Sequence, residues 1–390
     1  SQNLDEVILS VARSESSVNE IAEKVSVIKA EDLYLTAPSS GAEILELSPG
    51  IRIQKSQGGG GSPVIRGFEA NRVLVVVDGV RMNNAIYRSG HLQNSITIDP
   101  SNIDRVEIIY GSSSVGYGSD ALGGVVHYYT KNPTIKDSVK VKSSFSSNFN
   151  TANSRLSNSF STNYSEETWG VLSTISISKF GNIKMGERRQ HGYENWGLNN
   201  YYSENSRYKF KENSSPNNDP NLQQNTDYSQ VDFFQKFLFK LPYQKLLNIN
   251  IQYSESSDID RYDKLSEGIN NELKFSEWYY GPQKRLLISP SLKFFSQKPL
   301  LKRGRITLAY QIAEESRINR KFNSIDRSSQ LEKVNILSLN GDFDTSFDKG
   351  HALSYGIEGT LNNVISNAYS QNIVVNGSEI SDLGPKTNIP

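Results

Sequence analysis

Histidines are the side chains of this sequence best suited to bind a metal, and two of the four lie in polar loop segments. His91 stands in RSGHLQN, between glycine, serine and asparagine residues, and Tyr87 lies nearby as an alternative oxygen ligand. A neutral imidazole is a common metal ligand, so His91 is a candidate ligand, whereas the competing interpretation is a solvated loop histidine. His191, in RRQHGYENWG, could contact a small-molecule ligand or simply be exposed. His127 lies in a β run and His351 follows a tight turn, so both are predicted to be structural.

Several charged residues invite an enzymatic interpretation: Arg66, Asp78, Arg81, Arg105 and Glu107. A buried charge must be paired to be tolerated, so ion pairs between two parts of the fold explain these residues without catalysis. The sequence has no Gly-x-Ser-x-Gly elbow, no paired metal-ligand histidines and no glycine-rich loop ending in Gly-Lys-Ser/Thr. It contains no cysteine, which excludes thiolate chemistry and disulfides. We therefore predict that the chain is not an enzyme.

Composition argues against a nucleic-acid partner and against a membrane-spanning helix. Lys plus Arg and Asp plus Glu both number 42, so the basic surplus of a nucleic-acid-binding protein is missing. The mean hydropathy is -0.52, and no segment approaches the roughly 20 apolar residues of a membrane helix. A membrane-spanning β-barrel escapes this test, because only alternate residues of its strands face lipid. The aromatic content, 20 Tyr and 16 Phe against 2 Met, is typical of such a barrel, and a soluble β-rich protein is the alternative.

The segment from Gly58 to Asn132 predicts a compact domain. Three short apolar runs, Val73–Val77, Val106–Ile109 and Val125–Tyr129, are separated by glycine-rich turns. Ser40 is a suitable N-cap for a short helix that ends near Leu47, before Pro49-Gly50. The Asp78-Gly79 pair is an ordinary turn signal.

From residue 136 onward the pattern changes to a period of two, with one apolar and one polar face. Leu247, Ile249 and Ile251 alternate with Asn248 and Asn250, as expected for strands. The predicted strands are 138–149, 155–165, 169–180, 228–241, 245–256, 284–297, 303–314, 334–346 and 351–363.

The predicted connections favour a membrane barrel over a soluble sandwich. Links after the second, fourth, sixth and eighth strands are short, whereas 181–227, 257–283 and 315–333 are long. The link after the first strand is also short and does not follow this alternation. Outer-membrane barrels alternate tight periplasmic turns with extended outer loops in this way. A barrel wide enough to hold a plug has about 22 strands, and the chain has room for nine to ten. We therefore predict an α+β plug domain followed by the first part of an antiparallel transmembrane β-barrel, and expect a longer protein.

The N-terminal part resembles the plug of TonB-dependent outer-membrane receptors. The resemblance rests on PVIRGF, RVLVVVDGVRMNN, IDRVEIIYGSSSVGYGSDALGGVV and YYTKNP, which occur in the family's order and spacing. The plug-motif residues are Arg66, Gly67, Asp78, Gly79, Arg81, Gly118, Gly123 and Gly124. The resemblance implies three parts: a tether at 1–15, a plug at 16–135 and barrel strands at 136–390.

The resemblance also implies partners. LDEVILS looks like the family's TonB box, whose residues here are Leu4, Asp5, Glu6, Val7 and Ile8. It implies that the TonB energy-transducing complex binds the N-terminal segment and that lipid of a Gram-negative outer membrane surrounds the barrel. The expected function is import of a scarce iron compound, and the alternatives are a vitamin or other nutrient, or surface binding without transport.

Within the family, Arg88–Ile108 is similar to the plug segment of haem and haemoglobin receptors. That likeness implies that His91 is an axial ligand of haem iron, with haem or a haemoprotein as first choice of cargo and a siderophore as second. Haem would be the transported ligand, and no cofactor is required. The second histidine and the FRAP- and NPNL-type motifs of those receptors' barrels are not found in this sequence.

Overall fold

The computed structural model describes residues 7–8, 16–17, 23–55, 58–69, 72–82, 85–86, 94–111, 114–204, 210, 213–269, 272–347, 351–376 and 379–389. In these ranges no helix has the length and apolar character needed to cross a membrane.

The N-terminal domain, called the plug below, is a mixed sheet with short helices. Two short strands precede it, β1 (Val7–Ile8) and β2 (Ser16–Ser17), which pair antiparallel. The plug elements are β3 (Lys24–Lys29), α1 (Ala30–Thr36), α2 (Gly41–Leu45), β4 (Ile51–Gln54), β5 (Ser62–Ile65), β6 (Val73–Val77), β7 (Val80–Arg81), β8 (Ile103–Tyr110), α3 (Ser114–Tyr117) and β9 (Gly124–Thr130). Single 3-10 turns occupy Asn94–Thr97, Pro100–Asn102 and Ser119–Ala121.

The main plug sheet has the strand order β3-β8-β9-β6-β7, in which only β6 and β9 run parallel. Strand β6 is buried on both faces: Val75 belongs to one apolar cluster and Val76 to the other. A strand covered on both sides needs no polar alternation, which is why the three predicted runs are continuously apolar. All three are confirmed as strands. The predicted helix is confirmed too, since the Ser40 hydroxyl caps α2 by accepting a hydrogen bond from the Glu43 amide.

The remainder of the chain is a curved antiparallel sheet, called the barrel wall below. Its strands are β10 (Lys140–Asn150), β11 (Arg155–Ser165), β12 (Trp169–Phe180), β17 (Tyr228–Leu241), β18 (Lys245–Ser256), β23 (Lys284–Lys298), β24 (Leu301–Lys321), β25 (Asp326–Ser346), β26 (Ala352–Asn376) and β27 (Glu379–Leu383). Each pairs with the next in that order. The described wall therefore matches the nine to ten strands expected from the sequence.

Short elements fill the connections of the wall. They are β13 (Ile183–Lys184), β14 (Tyr201–Tyr202), β15 (Ser215–Pro216), β16 (Leu222–Gln223), β19 (Ile259–Asp260), α4 (Tyr262–Leu265), β20 (Gly268–Ile269), β21 (Glu272–Leu273), β22 (Phe275–Tyr280) and β28 (Thr387–Asn388). The two long loops, 181–227 and 257–283, lie at the end of the strands opposite the short turns.

The alternation along each wall strand separates an outer apolar face from an inner polar face. On β17, Val231 and Phe233 are exposed on the outer face, whereas Asp232 and Lys236 are buried on the inner face against the plug. An apolar outer band is what a strand needs in order to face lipid.

One predicted loop is wrong. Residues 315–333 were expected to form a long connection, but β24 and β25 extend through them and leave only a turn at 322–325. Cross-strand ion pairs support this extension, with 3.4 Å between Arg317 and Glu332 and 2.6 Å between Lys333 and Glu314. Beyond the apolar band both faces of the sheet are polar, so the strands continue without the alternation used to predict them.

The absence of a side chain at Gly124 allows the central plug strands to pack closely, and this position provides a test. A Cβ at Gly124 would lie 2.5 Å from the backbone oxygen of Ile109 on the neighbouring strand. Both strands are central, so their backbones cannot separate without disturbing the sheet. We expect Gly124→Ala to cost about 1–3 kcal/mol of plug stability, as other overpacked core variants do.

Hydrogen exchange of the β8 and β9 amides in the detergent-extracted protein measures this effect. Gly186→Ala is the control, because a Cβ at Gly186 meets nothing within 4 Å. Equal exchange rates in the two variants would contradict the expectation.

Candidate functional site

The plug touches the barrel wall through the β6–β7 hairpin. Asp78 and Gly79 form its two-residue turn with φ values of 48° and 87°. Asp-Gly favours such a turn, because both of its central positions require a positive φ. The turn carries polar side chains and backbone groups to the inner face of the wall.

At the turn, Asp78 lies in a buried polar cluster that joins plug and wall. Its carboxylate accepts hydrogen bonds from the Thr130 amide at 3.0 Å and from the Asn250 amide group of the wall at 2.8 Å. The Lys236 ammonium lies 3.2 Å from the same carboxylate, and the Lys236 side chain is only 3% exposed. Lys236 also donates to Thr130 Oγ1 at 2.7 Å and to Asn132 Oδ1 at 3.0 Å. The Lys236 ammonium therefore has acceptors in both the plug and its flanking segment, as a buried cation requires.

Further along the hairpin the wall contacts the plug backbone. Asn340 donates to the Gly79 oxygen and Gln311 donates to the Arg81 oxygen, both at 3.0 Å. The Arg81 guanidinium bonds Glu358 of β26 and lies 3.3 Å from Asp120 of the plug. The hairpin is thus connected to wall strands from β17 to β26 by polar bonds rather than by an extensive apolar interface.

Small apolar contacts accompany these bonds. Val80 packs against Leu287 and Ala309 of the wall, and Ile86 packs against Val334 and Ile336. Both clusters are small, so they add close packing to a contact that is mainly polar.

The other plug-motif residues support turns inside the plug. Arg66 and Gly67 have φ values of 50° and 84°, and the Arg66 guanidinium lies 5.5 Å from the Tyr110 ring centroid. Gly118 has a φ of 82°, and a Cβ at Gly123 would lie 2.3 Å from Phe68 Cβ. These residues therefore form turns and close contacts within the plug.

One acid of the plug has a shifted pKa. Burial would raise the pKa of Glu43, but the Lys55 ammonium at 3.1 Å and a hydrogen bond from the Ser39 amide lower it below its ordinary value. The stabilisation from this ionised group is present at neutral pH and is lost as the pH falls through the lowered pKa.

The first long loop presents an exposed group of rings around His191. The imidazole lies 5.7 Å from the Tyr193 ring and 5.4 Å from the Trp196 ring, centroid to centroid. Its Nδ1 accepts a hydrogen bond from the Tyr193 amide at 3.1 Å, so the described contacts leave Nε2 available to a ligand. Tyr193 and Trp196 are 73% and 63% exposed, so this ring group faces solvent.

The second long loop is held to the wall by a buried acid, Glu277 of β22. Its carboxylate accepts hydrogen bonds from Arg320 at 2.8 Å and from Arg327 at 2.8 Å, and the Glu277 side chain has no exposure. Strand β22 also pairs antiparallel with residues 317–321, at the C-terminal end of β24. In the same loop Trp278 and Tyr280 pack with Leu265, so these rings contribute to the packing of the loop.

Some predicted site residues lie outside the described part of the chain: His91, Tyr87, Leu4, Asp5 and Glu6. Val7 and Ile8 form β1 and are extended. His127 is structural as predicted, because its Nε2 accepts from the Gly79 amide at 2.9 Å. Within the described ranges, no three His, Cys, Asp or Glu side chains gather to hold a metal ion.

Sequence reasoning missed Lys236 and Glu277. The signal available for Lys236 is its place on the polar face of a period-two strand, which predicts an inward side chain but no partner. For Glu277 the sequence offers no signal beyond a carboxylate beside three aromatic residues.

Comparison with known proteins connects this geometry to a family. Residues 17–125 match the family model "TonB-dependent Receptor Plug Domain". The vitamin B12 transporter BtuB of Vibrio vulnificus (strain CMCP6) is 37% identical over 131 residues, which is 33% of this chain and 21% of that protein. A hemin receptor of Yersinia enterocolitica is 35% identical over 127 residues, which is 32% of this chain and 18% of that protein.

Solved structures with a similar fold extend over the wall as well. The copper transporter OprC superposes with a TM-score of 0.65 at 14% identity, covering 91% of this chain and 49% of that chain. The ferripyoverdine receptor of the outer membrane of Pseudomonas aeruginosa gives 0.64 at 12% identity, covering 98% and 49%. Identities this low show the fold alone. The matched part spans about a fifth of the two curated relatives and about half of the two solved chains.

Proposed function

Because this chain carries the plug and first barrel strands of a TonB-dependent outer-membrane receptor, we propose that it imports a scarce iron compound, most specifically haem. Such receptors lie in the outer membrane of Gram-negative bacteria. The barrel provides the passage and the plug closes it.

The observation that carries the import proposal is the polar attachment of the plug hairpin to the wall. Hydrogen bonds and ion pairs at Asp78, Gly79 and Arg81 can be exchanged for bonds to water as the plug moves, whereas a large apolar interface could not. The energy-transducing TonB complex would capture the N-terminal segment as an added strand, and β1 is already extended.

Three observations support haem. The segment RSGHLQN, with His91, is similar in sequence to the plug segment of haem receptors, and the matched relatives include hemin receptors. On the first long loop, His191 presents Nε2 beside Tyr193 and Trp196, an arrangement suited to a flat ring with a metal centre.

Other relatives are vitamin B12 transporters, and the similar solved structures include a copper transporter and a ferripyoverdine receptor. The sequence matches to the curated relatives cover about a third of this chain, so they do not compare most of its residues. We therefore base the choice of cargo on residues of this chain, with a siderophore as the second candidate.

Growth on haem as sole iron source tests the proposal. We expect a deletion strain to lose this growth and the wild-type gene to restore it. In the purified protein, His91→Ala should weaken haem binding at least about tenfold, measured by Soret absorption, which corresponds to about 1.4 kcal/mol. His191→Ala should have a smaller effect. His351→Ala is the control, since His351 is exposed at a short turn on the opposite end.

Two results would oppose haem. A Soret band that does not change on titration of the wild type excludes haem as the ligand. Normal growth of the deletion strain on haem, together with lost growth on a ferric siderophore, would move the cargo to the second candidate.

A further inference from the structure

A cavity of about 270 Å³ separates plug and wall beside the Asp78 cluster. It lies towards the short-turn end of β17, β18, β23 and β24, which is the periplasmic end in a receptor of this kind. It holds four cationic side chains, Arg105, Lys236, Lys293 and Arg305, and a single carboxylate, Asp78.

Tyr129 presents a buried hydroxyl with no partner in this cavity. Its side chain is 7% exposed, and its oxygen has no hydrogen bond within the described chain. The ring packs against the His127 ring, at 4.0 Å between centroids, and against the Arg105 guanidinium, which lies 4.1 Å from the ring centroid. Burial, with a contribution from Glu107, raises the pKa of Tyr129 well above its ordinary value, so the hydroxyl keeps its proton. A buried donor without an acceptor destabilises the fold unless a ligand or water accepts its hydrogen bond.

Arg305 of the wall is a cation that lines the same cavity. It lies on β24, in register with Lys293 of β23. Arg105 and Lys236 already have carboxylate partners, Glu107 at 2.8 Å and Asp78 at 3.2 Å. Arg305 forms no ion pair with the acids of the described ranges, although Asp342 lies opposite it in register on β25. An anion beside Arg305 would supply the negative charge that this guanidinium lacks among the described residues.

We propose that this cavity binds a small oxyanion, a carboxylate or phosphate group, through the Tyr129 hydroxyl and the Arg305 guanidinium. Guanidinium groups bind such anions through two parallel hydrogen bonds, and a buried hydroxyl adds a third. Ser291 also lines the cavity, and its hydroxyl becomes a further donor when Thr307, 2.9 Å away, donates the bond between the two. The anion is either free in the periplasm or part of the cargo; the second source rests on the proposed import function and makes the cavity a stopping point for acidic cargo.

Calorimetric titration of the detergent-extracted protein with inorganic phosphate, and separately with succinate, tests the site. We expect saturable binding of at least one of these anions, weakened at least tenfold by Arg305→Gln and several-fold by Tyr129→Phe. Arg303→Gln is the matched control, since Arg303 lies two residues away on the same face and is paired with Asp344 at 2.7 Å. It should leave the affinity unchanged.

The proposal is overturned if neither anion binds saturably, or if Arg305→Gln and Arg303→Gln have equal effects. Hydrogen exchange of the plug amides identifies any variant that has lost its fold. If Arg305→Gln is such a variant, the affinity of Tyr129→Phe decides the test, because this substitution removes a single oxygen. Uptake of haem, compared with haem dimethyl ester, separates the two anion sources. A defect of Arg305→Gln confined to haem supports the cargo source, whereas unchanged uptake supports a free anion and excludes the cargo role. Failure of haem uptake in the wild type would defeat the import proposal without affecting the phosphate result.

Discussion

Replacing Lys236 by Met is expected to detach the plug hairpin from the barrel wall. The substitution keeps the length of the side chain but removes the cation that lies 3.2 Å from the Asp78 carboxylate. Removing one partner of a buried ion pair costs about 3–5 kcal/mol, because the other charge stays buried without compensation. Thr130 and Asn250 still donate to Asp78, so we expect the lower part of this range.

Hydrogen exchange of the β6–β7 amides in the detergent-extracted protein measures this loss. A cost of about 3 kcal/mol corresponds to exchange about 100-fold faster if the hairpin opens locally. Lys240→Met is the matched control, because Lys240 lies on the same strand and is exposed. Combining Lys236→Met with Asp78→Asn removes both charges and should recover part of the loss. Protection equal to wild type in Lys236→Met would show that the pair does not hold the hairpin.

The plug strands were predictable because their burial is extreme. Strands β6, β8 and β9 are covered on both faces, so their residues form continuous apolar runs between glycine turns. Asp78-Gly79 was predictable as a turn for a local reason, the positive φ at both positions. That the turn would also bond the wall was not readable, since Asn250 is 172 residues away in sequence.

The wall strands were predictable only where apolar and polar residues alternate, as contact with lipid on one face requires. Strands β11, β12, β17 and β18 have the predicted ends, because each runs from a short turn through the apolar band. Beyond the apolar band, towards the long loops, β24 and β25 continue through charged residues such as Arg317 and Glu332. Ion pairs between the two strands stabilise this part, where alternating apolar residues are missing. A search for apolar residues at every second position does not find strands that are polar on both faces.

Sites that need partners from distant strands were beyond the sequence altogether. The partners of Glu277 lie 43 and 50 residues away, and nothing in the local pattern distinguishes them from other arginines of the chain. The Tyr129 hydroxyl is another example, since YYTKNP predicts a strand end but not an unfilled cavity beside it. The partners of such side chains are determined by which strands lie next to one another in the fold.

Replacing Glu277 by Gln is expected to release the second long loop from the wall. Arg320 and Arg327 each donate two hydrogen bonds to this carboxylate, and their side chains are 1% and 10% exposed. A glutamine has nearly the same shape, but it presents two N–H donors to two cations and removes the negative charge. Leaving two buried guanidinium groups without that charge costs about 3–5 kcal/mol, which exceeds what the short β22 ladder can offset.

Limited trypsin digestion of the detergent-extracted protein detects the release, because the loop contains Arg261, Lys264 and Lys274. We expect cleavage in this loop in Glu277→Gln and resistance in the wild type. Glu267→Gln is the matched control in the same loop, where the carboxylate is 39% exposed and pairs with Lys264 and Lys274 at the surface. Surface pairs contribute little, so this variant should stay resistant.

A combined variant separates charge from packing at the same position. With Glu277→Met, Arg320→Met and Arg327→Met together, no buried charge remains and the three side chains keep similar volumes. Replacing a buried ion triad by apolar residues is often neutral or stabilising, so we expect the loop to become resistant again. If the triple variant is cleaved as readily as Glu277→Gln, the geometry of the hydrogen bonds, rather than relief of unpaired charge, holds β22 on the wall. If Glu277→Gln itself resists trypsin, the backbone ladder between β22 and β24 is sufficient to hold the loop.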